Sequence, residues 1–214
     1  MQCWFFFDTI FNIDFSQIGL SVFGLSEYLP MERIKYQMEA NFYGVIRCMK
    51  EVLPSMRENK EGRIQVVSSV GGLYGQPFND VYCASKFAVE GLFESMAPLY
   101  QSLGIHLSII EPGAIATNFV TNVKSNVDIS IKMDDEIMKY LGKYMERSGK
   151  VFSDPTTCQT PMDVAKVCFK AVTDENPNLR YQPNQHQIYT SSLNLKYSDL
   201  TGNKTVDVWK NAFK

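Results

Sequence analysis

Apolar residues along this 214-residue chain follow two alternating rhythms. From Pro30 to about Asn59, Ile34, Met38, Phe42, Val45, Ile46, Met49 and Leu53 recur at helical spacing, interrupted only by Pro54 near the end, and predict a long amphipathic helix. Arg63 to Ser69 reads RIQVVSS, a short β-branched run closing on small residues. It predicts a buried strand followed by a sharp turn at Gly71-Gly72-Leu73-Tyr74-Gly75. A second helix is predicted from Asn79 or Asp80, either of which can cap it, through Phe87, Leu92, Met96 and Leu99 to a stop at Gly104. Ile105 to Glu111 (IHLSIIE) predicts the next strand, ended by Pro112-Gly113. Helix, strand, helix, strand in this order predicts an α/β fold with a parallel sheet covered on both faces, the right-hand portion of a doubly wound fold.

Beyond Thr117 the pattern turns more polar. Helices are predicted over about Met133 to Arg147 and, capped near Thr160-Pro161, over Met162 to Thr173; a short strand near Leu179 to Gln182 closes the sheet. The tail to Lys214 carries weak signals. No internal repeat or linker divides the chain, so a single domain over 1–214 is expected. The opening segment, Met1 to Phe15, is aromatic but lacks a basic start and a small-residue cleavage site, and it carries Asp8 and Asp14. It reads as a buried strand. Its apolar run is far shorter than the roughly 20 residues of a membrane-spanning helix.

Composition narrows the partners. Lys and Arg total 21 against 23 Asp and Glu, a net charge of -2, which leaves no basic excess to attract nucleic acid and fits a small neutral ligand. The cysteines at 3, 48, 83, 158 and 168 form no CxxC pair, so no metal site is expected. They suit a reducing compartment, hence a cytoplasmic location.

Tyr82 and Lys86 stand at i and i+4 at the start of the second helix, on one face. A free phenol, with a pKa of about 10, exchanges protons poorly at neutral pH, and a neighbouring ammonium stabilises its phenolate. Ser69, thirteen residues earlier, falls at the carboxyl end of the preceding strand, where open α/β sheets gather ligands. Such a trio serves carbonyl/alcohol interconversion: the tyrosine exchanges the proton, the serine hydrogen-bonds the oxygen, and a nicotinamide carries the hydride. A tyrosine and lysine at this spacing also occur by chance as a solvated helix face. The spacing of Gly71, Gly72 and Gly75 is not that of a phosphate loop; they read as a turn that leaves room for substrate. His106 reads as a core or surface histidine, and His186 as a residue lining a substrate pocket.

The whole run Ser68-Ser69-Val70-Gly71-Gly72, then PFNDVYCASKFAVEGLFES from Pro77, then Glu111-Pro112-Gly113 and Thr117, resembles the short-chain dehydrogenase/reductase family. Within it, the similarity points to the branch of the estradiol 17-beta-dehydrogenases and photoreceptor-type all-trans-retinol dehydrogenases, over roughly Gly19 to Thr173. The resemblance implies a partial Rossmann-type doubly wound parallel sheet, with residues about 118–200 as the substrate-binding segment. It implies Ser69, Tyr82 and Lys86 as the catalytic serine, tyrosine and lysine. Asn41 matches an asparagine that helps hold a relay water beside the lysine; the residue also reads as a helix polar position facing solvent. Tyr82, Lys86, Gly19, Pro112, Gly113, Ile115 and Thr117 match cofactor-contacting positions, and Ser69, Gly72, Tyr82 and His186 are the expected substrate contacts. The implied cofactor is NADP or NAD, with NADP favoured. The implied substrate is a retinoid or steroid, the implied assembly a homodimer, and membrane contact would be peripheral.

Two departures qualify the resemblance. The family opens with a strand, a glycine-rich turn and a ribose-reading residue, and no counterpart of these precedes Phe11, so the first βαβ units are expected to be missing. Weakened dinucleotide binding and weak or no activity follow as expectations. The alternative is a non-catalytic chain that pairs with a full-length relative through its two long helices. In the steroid enzymes a histidine and a glutamate hold the far end of the substrate, and Lys139 and Gln185 stand there in this chain, which favours retinoid chemistry.

Overall fold

The computed structural model describes residues 13–16, 20–116, 133–154, 156–183 and 197–213, the first of these as backbone alone. Gly19, Thr117, Gln185 and His186 lie outside the described residues. Four strands form one sheet in the order β1 (Ile13–Ser16), β2 (Gly62–Val67), β3 (Ile105–Ile110) and β4 (Arg180–Tyr181), every pair parallel. This is the α/β, Rossmann-type arrangement expected from the order of elements.

Strand side chains alternate between two faces, and here both faces are covered. Ile64 and Val66 of β2, with Ile105, Leu107 and Ile109 of β3, meet Val45, Met49, Val52, Leu53 and Met56 of α2 (Gly44–Asn59) and Val89, Phe93 and Ala97 of α3 (Asp80–Ser102). On the opposite face Ile110 and Tyr181 pack against Val164, Cys168 and Ala171. These belong to the later helix Pro161–Thr173. There Gln65 Nε2 donates to Cys168 O at 2.9 Å, and Arg63 Nη1 donates to Asp174 O at 2.7 Å.

The long helix expected over 30–59 is broken. It runs as α1 (Met31–Met38), a π-helical turn (Glu39–Tyr43) and then α2. One extra residue per turn shifts the buried face, and Asn41 falls wholly inside the protein, which corrects the reading of a solvent-facing position. Its Nδ2 donates to Leu20 O at 2.9 Å and to Ser85 Oγ at 3.1 Å, while its Oδ1 accepts from Leu20 N at 3.0 Å.

The C-terminal ends of α2 and α3 meet. Gly104 has φ +77°, and a Cβ there would fall 2.1 Å from Lys60 O, so only glycine fits this stop. The helix expected over 133–147 is α4 (Asp135–Ser153), which continues six residues further. The helix Pro161–Thr173, here α5, begins as expected at Thr160, whose side chain accepts from Asp163 N at 3.2 Å in a full capping box. A sixth helix, α6 (Asn203–Ala212), was not foreseen.

Candidate active site

Parallel strands deliver their carboxyl ends to one edge of the sheet, and the residues singled out in the sequence converge there. The ladder continues past β2 into the loop: Ser68 N donates to Ile110 O at 2.8 Å and Val70 N to Pro112 O at 3.0 Å. Ser69 is therefore held beside Glu111 and Pro112. Its side chain accepts from Gly71 N at 3.1 Å and starts a short 3-10 turn, Val70–Gly72.

The start of α3 is fixed from several sides. Asn79 stands at the N-cap, but neither it nor Asp80 caps by side chain: Asn79 Nδ2 donates to Tyr144 Oη at 2.7 Å, and Asp80 Oδ2 accepts from Ser26 N at 2.9 Å and Ser26 Oγ at 3.1 Å. Phe78, just before, is buried at φ +61°, and its carbonyl accepts from Gly24 N at 2.8 Å. A left-handed backbone costs a bulky residue energy, here offset by packing against Phe23 and Tyr144. Trp209 of α6 donates from Nε1 to Gly75 O at 3.0 Å, tying the C-terminal helix to the same loop.

On α3, Tyr82 and Lys86 share a face as expected, with Lys86 Nζ 5.9 Å from the Tyr82 ring centroid. Lys86 is almost wholly buried and donates to Val67 O at 2.8 Å. Burial pushes the Tyr82 phenol up to about 12, and the nearby Ser69 hydroxyl opposes this only in part. The expected lowering of the phenol by Lys86 does not emerge, because desolvation dominates. Burial brings Lys86 itself down to about 8, while the Glu90 carboxylate works to raise it. Asn41 reaches this helix through Ser85, whose Oγ donates to Tyr82 O at 2.7 Å.

Gly72 is buried, and a Cβ on it would meet Ser68 Oγ at 2.6 Å and Glu90 Cγ at 3.0 Å, so its smallness serves packing between the β2 end and α3. Pro112 is buried, and Gly113 and Ile115 are half-buried beyond β3. Gly113 N donates to Gln159 Oε1 at 3.2 Å, and Ile115 bridges to Gln159. Gln159 is 3% exposed, and its Nε2 has no acceptor among the described residues. A buried donor lacking an acceptor, next to the segment matched to cofactor contacts, suits a carbonyl group such as a nicotinamide carboxamide. His106 lies near the amino end of β3 opposite Arg63, away from this edge. Lys139 is exposed on α4.

Sequence reasoning missed one buried ionic cluster. Arg180 of β4 pairs with Glu90, with Glu111 and, at 2.6 Å, with Glu94, and Gln182 Nε2 donates to Glu111 Oε2 at 2.8 Å. Glu111 and Glu90 are 0% and 4% exposed, so these charges depend on one another rather than on water.

A parallel sheet covered on both faces, with serine, tyrosine and lysine gathered at its carboxyl edge, defines a Rossmann-type α/β protein of the dehydrogenase class. The family model described as short chain dehydrogenase matches residues 17–128, and the chain belongs to this family. Human 17-beta-hydroxysteroid dehydrogenase type 1 is 36% identical over 189 residues, 88% of this chain and 56% of that protein. Human retinol dehydrogenase 8 is also 36% identical, over 192 residues, 88% of this chain and 58% of that protein. The chain thus spans little more than half the length of these relatives. Among solved structures, a short-chain dehydrogenase from Streptomyces avermitilis superposes with a TM-score of 0.71 at 22% identity, covering 94% of this chain and 69% of that one. Among the described residues no helix is long and apolar enough to cross a membrane.

Proposed function

We propose that the chain is the catalytic part of an oxidoreductase that interconverts a hydrophobic alcohol and its carbonyl compound with NADP or NAD. The observation that carries this reading is the convergence of Ser69 and Tyr82 at the carboxyl edge of the sheet, with Lys86 buried one helical turn beyond. A bound nicotinamide would give hydride to the carbonyl carbon or take it from the alcohol. Tyr82, protonated at neutral pH because burial holds it near 12, donates the proton to the carbonyl oxygen in the reductive direction. Ser69 hydrogen-bonds that oxygen. Lys86, near 8, remains about nine-tenths ammonium at pH 7 and replenishes the proton of Tyr82. Asn41 supports the relay by fixing α3 through Ser85. Pro112, Gly113 and Ile115, with the Gln159 amide, would hold the nicotinamide end. Gly19 and Thr117 join them in this proposal.

The substrate is a retinoid or a steroid, bound by the segment 118–200 with Gly72 and His186. Two features support an apolar substrate: the relatives' names and the aromatic cluster of Phe23, Phe78, Tyr144 and Trp209 beside the start of α3. Lys139 and Gln185 favour the retinoid. Phe87 and Leu99 on α3 and Leu103 just beyond it are exposed apolar positions, and they support homodimer formation through the long helices.

The test is titration of the chain with NADPH and NADH, followed by nicotinamide fluorescence and thermal stability, then turnover of all-trans-retinal and estrone. Saturable binding with turnover that falls at least about a hundredfold in Tyr82→Phe supports the reading. A folded chain that binds neither cofactor overturns it and leaves the non-catalytic pairing alternative.

A further inference from the structure

Lys86 has one carboxylate on its own helix face, Glu90, one turn further along α3. Glu90 does not end in solvent. It is bound to Arg180, which is bound in turn to Glu111, and both carboxylates are buried. The other charged partner of Arg180, Glu94, has about half its side chain exposed and is solvated. The set therefore comprises two buried carboxylates and one half-buried guanidinium, one negative charge in excess. An uncompensated charge in such surroundings is strongly disfavoured, whereas the set becomes neutral when Lys86 carries its proton.

We propose that Glu90 is a positioning residue for Lys86: it completes a buried four-charge set of Lys86, Glu90, Glu111 and Arg180, holds the lysine as an ammonium, and through Arg180 makes that state depend on β4 being docked. The proposal rests on Lys86 being the proton-relay lysine, and extends the site to two residues, Glu90 and Arg180, that do not touch the reacting atoms. The described groups on Lys86's own helix and on the neighbouring elements agree with this. On α3 these are Tyr82 and Cys83, whose burial keeps both protonated, and Glu90. The end of β2 offers the Val67 carbonyl, and the π-helical turn offers the neutral Asn41. Past β3 and on β4 lie Glu111, Arg180 and neutral Gln182. Glu90 is the carboxylate nearest in sequence, and the only one of the set on the lysine's own helix. Burial and then the charge of Glu111 hold Glu90 above the usual carboxylate range, with Arg180 opposing them, so loss of Arg180 would protonate Glu90 and remove the lysine's counter-charge.

The test labels lysine at 13Cε and follows Lys86, assigned with Lys86→Arg, by NMR as pH is raised. In Glu90→Gln the lysine is expected to lose its proton about one unit lower or more, a tenfold weakening of proton affinity. Glu94→Gln, altering only a solvated charge, is expected to leave it within about 0.3 units. A folded Glu90→Gln with an unmoved Lys86 overturns the proposal. If that variant does not fold, the unaltered chain labelled also at the glutamate carboxyl carbons gives the answer. Lys86 and Glu90 must each show an inflection where the other titrates, and independent titrations overturn the proposal. No turnover is needed for any of these readings. An inactive chain whose Lys86 depends on Glu90 would refute the proposed function and leave the charge set standing.

Discussion

Gly71 and Tyr82 touch: a Cβ placed on Gly71 would lie 3.1 Å from Tyr82 Cε1 and 3.4 Å from Cys83 Sγ. The turn after β2 is thus pressed against the tyrosine ring, and the contact locks the ring beside Ser69. Gly71→Ala is expected to move the ring by a few tenths of an ångström and cost about 1 kcal/mol. At Gly72 the added methyl would meet Ser68 Oγ at 2.6 Å and the Glu90 side chain at 3.0 Å, both buried, so Gly72→Ala should cost more, about 1–3 kcal/mol. Urea denaturation midpoints check the ranking, and a Gly71→Ala less stable than Gly72→Ala contradicts this packing.

Asn41 fastens residue 20 to the helix by both backbone groups of Leu20. Asn41→Leu fills a similar volume but removes the acceptor of the Leu20 N–H and the donor to Ser85 Oγ, and leaves the Leu20 carbonyl to Gln37 Nε2 alone. A loss of about 2–4 kcal/mol is expected. Asn59→Ala, at the exposed end of α2, should change stability by less than about 0.5 kcal/mol. Equal effects at the two positions would show that the Leu20 clamp adds nothing.

Gly104→Ala is expected to destabilise by more than about 2 kcal/mol, since it adds both a left-handed backbone cost and a collision with Lys60 O. Gly142→Ala is the comparison: it lies in α4 with nothing within 4 Å of an added Cβ. Helix propensity favours alanine there by about 1 kcal/mol. Thermal unfolding of the two variants should therefore move in opposite directions.

Stability should fall in alkali. Burial pushes Cys83 and Cys168 up from 9.0 to about 11 and Tyr82 and Tyr144 up from 10.0 to about 12, so the folded chain keeps protons that the unfolded chain releases. With folded values raised, each group's contribution is complete below its unfolded value and is lost as pH climbs through the folded one. Lys86 runs the other way. Its folded value, about 8, lies below 10.5, so the unfolded chain binds the extra proton and stability rises from 8 to 10.5. Four groups against one give a slight rise from pH 8 to 9, then a net loss of about 4–5 kcal/mol by pH 11. Denaturation midpoints at pH 8, 9 and 11 test this, and a midpoint that is level or rising between 9 and 11 would refute it.

The sequence made the sheet-forming core readable because its elements announce themselves locally. The β-branched run before Ser69, the IHLSII strand and the Thr160-Pro161 cap all depend on neighbours within a few positions. The Ser69, Tyr82 and Lys86 arrangement was legible for the same reason: thirteen residues and one helical turn separate its members. The π-helical turn at Glu39–Tyr43 was not, since a 3.6-residue period fits its flanks equally well and the extra residue is set by the fit of Asn41 to Leu20. The Glu90–Arg180–Glu111 cluster joins positions 69 to 90 apart, and no local pattern marks such a meeting. The helix Asn203–Ala212 was missed because it is short and follows Gly202 with no capping side chain to mark its start; Trp209 finds its place by reaching Gly75.

Ser69, Tyr82 and Lys86 all arise within a single β2–α3–β3 stretch of about fifty residues, whose two strands are direct neighbours in the sheet. This gives the protein a form of modularity. Insertions, deletions and drift after β3 that leave Arg180 and β4 in place would not disturb the spacing of the three groups proposed to handle the proton. If the proposed function holds, ligand preference could then change in the later segments while the proton-handling spacing stays fixed.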